Sequence, residues 1–413
     1  MTTRSTYRLA TTGITHQGYA VGRLDGRATF AAYALPGETV EIELRRSKPE
    51  YAIGDTISVI EPAHERVSPP CAVFNPEMCG GCQWQHASYD AQLRYKTQIV
   101  AEQLTRIGRI TAPSVKPTIG SPSPFGYRTH ATFSVLSTGR LGYVRTDGQT
   151  LLPIDACLLL RPELQEVLEW FRTADFTGAE RIRLQVGSVS DDRAVIVYGQ
   201  PRNLTEILNA LGGASLILQM GNQTRVVKGK PYLTYVIANR RYRATAGGFF
   251  QVNLPQAECL IRQVESQIPE TCNHVLDLYS GAGLFSLLLS DYAKRITSIE
   301  EYEPAVDDAR HNLRDHPNAS IQAGSVEHLL GQVKGPIDMV VTDPPRAGMK
   351  RSVVDQLVRL NPRRIVYVSC EPSTLARDAR LLVDSSYTLG SVQPVDMFPQ
   401  TYHIETIACF DRD

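Results

Sequence analysis

The stretch VLDLYSGAGLFSLLL, residues Val275 to Leu289, decides the fold. An apolar run carrying one acid, Asp277, meets the turn Ser280-Gly281-Ala282-Gly283, and a second apolar run follows. Strand, glycine turn and helix in that order make the first unit of an open α/β sheet. Glycines in that turn let the backbone approach a ligand lying across the carboxyl ends of the strands. The pattern recurs in RITSIEEYEPAVDDARHNL, IDMVVTDPPRAG and RRIVYVSCEPSTLARDARLLV. Residues from Thr271 onward are therefore predicted to form a doubly wound, Rossmann-like α/β sheet.

The turn names its ligand in part. A dinucleotide fingerprint needs a third glycine and phosphate-facing amides, whereas G-A-G preceded by an acid suits a cationic ligand without phosphate. Glu300 closes the next strand, ITSIE, at the offset from which an acid hydrogen-bonds ribose hydroxyls. Gly281 and Glu300 together point to S-adenosylmethionine. Asp343 ends the strand IDMVVT, and the prolines after it stop the ladder and project its carboxylate into the same crevice.

Cys370 ends the strand RIVYVS and reaches that same edge. A thiol between a strand end and a helix start is expected to gain thiolate character from the helix dipole and electropositive neighbours. A thiolate beside a methyl donor suits the C5 carbon of uracil, a poor nucleophile until a thiol adds at C6. The cysteine leaves only when a base removes the C5 proton. Glu405, in MFPQTYHIE, is the candidate base, with His403 beside it to orient it or contact the uracil.

A chain of 413 residues exceeds one ordinary core. No apolar run spans a bilayer, so no membrane partner is expected, and the first residues lack a secretory apolar region, which predicts a cytoplasmic protein. The eight cysteines are then read singly rather than as disulfides. Net charge is zero but uneven: residues 181–245 hold ten Lys or Arg against three acids, and residues 271–345 hold five against eleven. A basic segment beside an acidic one suits a protein that holds a polyanion with one part and does chemistry with another.

Residues 1–62 alternate short β-prone runs with Asp-Gly, Gly and Pro turn signals and are predicted to form a small OB-like barrel. The segment 63–245 is assigned to a central α+β domain, with an amphipathic helix near 90–110 and the basic excess at its end. Trp84, His86, Phe125 and Tyr127 are candidates to stack on unpaired bases. Cys71, Cys79 and Cys82, spaced C-x7-C-x2-C, with Cys157 as a distant fourth, fit either a structural zinc or an iron-sulfur cluster.

FFQVN, DLYSGAG, DPPRAG, YVSCEPSTLARD and MFPQTYHIE, in that order, resemble the RNA 5-methyluridine methyltransferase family. The resemblance implies Cys370 as nucleophile, Glu405 as base, and S-adenosylmethionine contacts from Gln251, Tyr279, Glu300 and Asp343 in a catalytic domain over 246–413. It further implies a TRAM domain for the barrel, a [4Fe-4S] cluster on Cys71, Cys79, Cys82 and Cys157, and a monomer acting on RNA. Barrel and cysteines together lead us to expect a ribosomal RNA (23S) target; alternatives are a T-loop uridine of transfer RNA, or a non-catalytic iron-sulfur RNA-binding protein. Ser280 departs from the cysteine common in the family, at a position outside the chemistry.

Overall fold

Turn residues divide the N-terminal β-prone runs into five strands. They are β1 (Thr6–Ile14), β2 (Ala20–Leu24), β3 (Arg27–Ala32), β4 (Thr39–Ser47) and β5 (Tyr51–Glu61), closed into a barrel of order β1-β2-β3-β5-β4. The computed structural model describes residues 6–189 and 191–412. Asp25 and Gly26, both at positive φ (51° and 79°), make the two-residue hairpin turn that the Asp-Gly signal predicts. The barrel core is small, built on Leu9, Val40, Ile42 and three alanines, so its walls lie close. A Cβ on Gly22 would sit 2.2 Å from the carbonyl of Ala10.

A second sheet of seven strands has the order β12-β11-β10-β9-β6-β7-β8. Its strands are β6 (His130–Val135), β7 (Leu141–Val144), β8 (Leu151–Pro153), β9 (Ala179–Val186), β10 (Arg193–Gly199), β11 (Ser215–Met220) and β12 (Gln223–Lys228). Phe133, Phe171, Phe176 and Leu184 fill the core between this sheet and helices α2 (Pro162–Trp170) and α3 (Leu204–Asn209), α1 being introduced below. The hairpin β13 (Tyr232–Ile237)–β14 (Arg240–Thr245) leads to the C-terminal sheet, with which Leu233, Tyr235 and Tyr242 share a core.

That sheet has the order β17-β16-β15-β18-β19-β21-β20. Five strands run parallel: β15 (His274–Leu278), β16 (Arg295–Glu300), β17 (Ala319–Ala323), β18 (Met339–Thr342) and β19 (Arg364–Ser369). β21 (Glu405–Asp411) inserts antiparallel between β19 and β20 (Thr388–Val395). Side chains of period two divide each strand between two layers. Val366, Val368, Ile407 and Cys409 join the core under α4 (Leu254–Glu265) and α5 (Leu284–Leu289). Ile365, Tyr367, Ala408 and Phe410 join the opposite core, under α8 (Arg351–Leu360) and α9 (Pro372–Asp384), while α6 (Glu303–Asn312) and α7 (Val326–Leu329) follow β16 and β17. Both faces being covered explains why these strands read as unbroken apolar runs. Among the described residues no helix is long and apolar enough to cross a membrane.

Helix α1 (Tyr89–Arg106), within the segment 63–245, packs on α9 and β20, and Tyr95, Ile99 and Leu104 share a core with the C-terminal sheet. One expectation is corrected. Trp84, His86 and Tyr127 are buried and not free to stack on bases, while Phe125 is half-buried. The indole N–H of Trp84 donates to the carbonyl of Gly18, tying barrel to C-terminal unit. Trp84→Ala is accordingly expected to cost about 3–5 kcal/mol of stability, read as a lowered midpoint of thermal unfolding; an unchanged midpoint with weakened RNA binding would restore the base-stacking reading.

Candidate active site at the carboxyl edge of the parallel sheet

Strand order reverses at β15, which has β16 on one side and β18 on the other, so the crevice for a cofactor opens there. Tyr279, Gly281 and Gly283 all take positive φ (59°, 54° and 81°), which turns the chain from β15 into α5. A Cβ on Gly281 would meet nothing within 4 Å, so the glycine serves the conformation and leaves the edge open. The Gly281 N–H donates to Glu300 Oε2 at 2.9 Å, and Glu300 Oε1 accepts from the amides of Glu301 and Tyr302. Asp343 follows β18, its N–H bonded to the carbonyl of Leu278. Gln251, nearly buried, lies in the segment between β14 and α4, its carbonyl accepting from Thr129.

The catalytic candidates meet through strand register. Arg364 pairs with Asp411 and Ser369 with Thr406, so the next step sets Cys370 opposite Glu405. Directly opposed residues of an antiparallel pair have Cβ atoms roughly 5 Å apart.

Electrostatics at this edge differ from the expectation. Burial, followed by the negative charges of Glu405 and Asp343, pushes the Cys370 thiol up to about 12, against the lowering effect of Arg346. The expected gain in thiolate character is opposed here by burial first and by the two carboxyls second. Glu405 itself is raised well above the ordinary carboxylate range by burial and by Asp343. Asp343 is raised by burial and by Asp277, and Asp277, fully buried and bonded to Ser286, rises to about 7 chiefly by burial. His403 is pulled down to about 4 by burial and by Arg346, Lys96 and Arg128, so it stands as a neutral imidazole. Against the opposing effect of burial, bonds from His16 and Ser373 hold Glu371, the residue after the thiol, at about 2. His16 belongs to the barrel, and its Nε2 lies 3.2 Å from Glu371 Oε1.

Away from this edge, Cys71, Cys79, Cys82 and Cys157 line one cavity of about 420 Å³, together with Arg128 and His403. All four are free thiols. Burial raises Cys79, Cys82 and Cys157, and neighbouring cysteines add to the shift in each. Among the described residues no three His, Cys, Asp or Glu side chains close on a single point as one bare ion requires. Four thiols around one cavity are soft donors by type.

Comparison with known proteins places this arrangement. Residues 1–57 match the TRAM domain, residues 247–366 the methyltransferase small domain and residues 333–412 tRNA (Uracil-5-)-methyltransferase. Uncharacterized RNA methyltransferases of Gloeobacter violaceus and Caldanaerobacter subterraneus are each 35% identical, over 97% and 98% of this chain and 95% and 98% of their own. The chain belongs to the RNA uracil-5-methyltransferase family. Among solved structures it resembles the Pyrococcus abyssi tRNA (uracil-54, C5)-methyltransferase in complex with S-adenosyl-L-homocysteine, with TM-score 0.77, 25% identity, and coverage of 98% of this chain and 100% of that one. It is thus an S-adenosylmethionine-dependent RNA uracil-C5 methyltransferase with a TRAM barrel.

Sequence reading missed three groups at this methyltransferase site. Arg128 lines the cysteine cavity, with its Nε buried and unpartnered. Lys96 and Asp396 form a fully buried ion pair behind the loop that carries His403. The signal was present in α1, where Gln92 and Lys96 fall on the same helical stripe as buried Ile99 and Val100. The raised thiol sets a testable pH dependence. The thiolate fraction of a group titrating near 12 grows about tenfold per pH unit throughout the neutral range. Iodoacetamide labelling of the Cys370 peptide, followed by mass spectrometry on RNA-free enzyme, is expected to accelerate about tenfold per pH unit from 7 to 9 without a plateau; a plateau below pH 8 would show a preformed thiolate.

Proposed function

We propose that the enzyme methylates C5 of a uridine in 23S ribosomal RNA through a covalent adduct, with Cys370 adding to C6 and Glu405 removing the C5 proton. The observation that carries this reading is the register that sets Cys370 opposite Glu405 at the edge where the cofactor turn ends. Gln251, Tyr279, Gly281, Glu300 and Asp343 are the residues placed to hold S-adenosylmethionine. Bound there, it supplies an electrophilic methyl group and a positive charge. That charge favours the anionic forms of Cys370 and Glu405, opposing the burial that raises both groups. The Cys370 thiol gives its proton to solvent as Sγ bonds to C6, and the ring becomes an enolate whose C5 takes the methyl group, leaving the neutral thioether S-adenosylhomocysteine. Glu405 then accepts the C5 proton, the Sγ–C6 bond breaks, and the thiolate is regenerated.

RNA is supported as substrate by the TRAM barrel and by Arg181, Arg202, Arg225, Lys228 and Lys230, all exposed on the central sheet and its connections. Phe249, 74% exposed beside Gln251, offers a face for an unstacked base. The enzyme is read as a cytoplasmic monomer. A second reading, the T-loop uridine of transfer RNA, is favoured by the likeness to the Pyrococcus enzyme. Mapping 5-methyluridine in ribosomal and transfer RNA of a deletion strain decides between them: loss of a 23S site supports the first, loss of the T-loop methyl the second, and loss of neither contradicts both.

The chemistry predicts distinct variants. Cys370→Ala is expected to abolish methyl transfer with cofactor affinity intact by calorimetry. Glu405→Gln is expected to slow turnover by about 10²–10⁴-fold while leaving the adduct trapped on ordinary RNA, visible on a denaturing gel; normal turnover by either variant would contradict the mechanism.

Cys71, Cys79, Cys82 and Cys157 are proposed to hold a [4Fe-4S] cluster, on the ground that four free thiols surround one cavity with the cationic Arg128 at its wall. The cluster would act there as a cross-link between residues 71–82 and the segment before α2. Anaerobically purified protein is expected to contain iron and acid-labile sulfide in equal amounts, and Cys82→Ser to lose both. Zinc without sulfide would contradict the cluster.

A further inference from the structure

The loop from Asp396 to His403 joins β20 to the strand that begins at Glu405, and it runs through the interior of the protein, with Asp396, Met397, Gln400 and Thr401 buried. Buried backbone must find partners, and here helix α1 supplies those at both the middle and the end of the loop. Lys96 Nζ donates to Asp396 Oδ1 at 2.5 Å, to the carbonyl of Phe398 at 3.2 Å and to that of His403 at 2.9 Å. One ammonium thus gathers the beginning, middle and end of the loop. Tyr89 donates to the second Asp396 oxygen at 2.8 Å. Gln92 and Gln400 bond reciprocally, the Gln92 amide donating to Gln400 Oε1 and the Gln400 N–H donating to Gln92 Oε1, each at 3.1 Å. Four further carbonyls are held from outside the helix: that of Asp396 by Gln256, of Met397 by Asn253, of Pro399 by Tyr127, and of Gln400 by the amides of Gln83 and Trp84.

No comparable tether reaches Cys370 from α1. The thiol rides on the end of β19, whose ladder to β18 and β21 fixes it without the loop. The two halves of the catalytic pair share the β19–β21 ladder, and the Glu405 half alone has in addition the tether from α1.

We propose that Lys96 is a positioning residue for Glu405, holding the approach to β21 so that the carboxylate meets the C5 proton, while Cys370 and its adduct form independently of it. The inference rests on the covalent reading above and extends it to the resolution step. Loss of the Lys96 charge slows proton removal and adduct release selectively. A lysine with a merely structural role, by contrast, would depress every step in proportion to the folded fraction.

The test compares wild type with Lys96→Met/Asp396→Asn, which removes both charges and leaves no buried ion unpaired. Tyr89→Phe takes away only one bond to Asp396 and serves if the double variant does not fold. Each is given cofactor with 5-fluorouridine RNA and, separately, with ordinary substrate RNA. The expected result is a fluorinated adduct formed within about threefold of the wild-type rate. Turnover on ordinary RNA falls at least about 30-fold in the double variant and about 3- to 10-fold in Tyr89→Phe, with adduct accumulating on that RNA. Adduct formation and turnover falling together, or turnover unchanged, overturns the positioning role. Failure of the wild type to form the fluorinated adduct overturns the covalent reading and this inference with it.

Discussion

The antiparallel insertion of β21 between β19 and β20 is the constraint on which the rest depends. In a wholly parallel sheet Glu405 would begin its strand at the edge remote from the cofactor turn. Reversal of that one strand brings its first residue to the end where β19 releases Cys370. A shift by one residue would turn the side chains of β21 onto the opposite faces, sending Ile407 and Cys409 into the layer that holds Ala408 and Phe410. The same apolar packing that builds the two cores therefore fixes the separation of nucleophile and base.

Burial at this edge has a cost that the enzyme turns to use. Three carboxyls and one thiol are raised here in sequence, Asp277 acting on Asp343, Asp343 on Glu405, and both Asp343 and Glu405 on Cys370, and desolvation is the largest cause in each. Burial at this edge therefore disfavours negative charge. A cationic methyl donor opposes that effect, so the electrostatics that raise Cys370 also suit the sulfonium. Behind the site, the desolvation of Lys96 and Asp396 is offset by four hydrogen bonds, the ion pair among them, that tie the two side chains to Tyr89 and to the loop. Removing one charge from such a pair generally costs about 3–5 kcal/mol.

Much of this was legible in the sequence. Asp25-Gly26 marked a barrel hairpin, and the G-A-G turn with Glu300 marked a cofactor crevice that the reversal at β15 locates. Cys370 and Glu405, some 35 residues apart, could be paired because the chemistry of one demands the other. What escaped depends on tertiary burial. An amphipathic helix shows the same periodicity whichever sheet it covers, so the neighbours of α1 are set by tertiary packing. Lys96 is one of the basic residues between the apolar ones of that helix, and Trp84 was expected to stack on bases; burial gives each a partner. The thiol's raised titration comes from carboxyls that only the sheet register brings beside it.

The central claim is that the methyl group replaces a proton at C5, removed by Glu405 from an adduct on Cys370. The most direct measurement uses substrate RNA carrying tritium at C5 of uridine and compares tritium released to water with methyl groups transferred. One tritium released per methyl, and none from Cys370→Ala, is the predicted result. Methyl transfer with tritium retained would place the methyl on another atom and contradict the account.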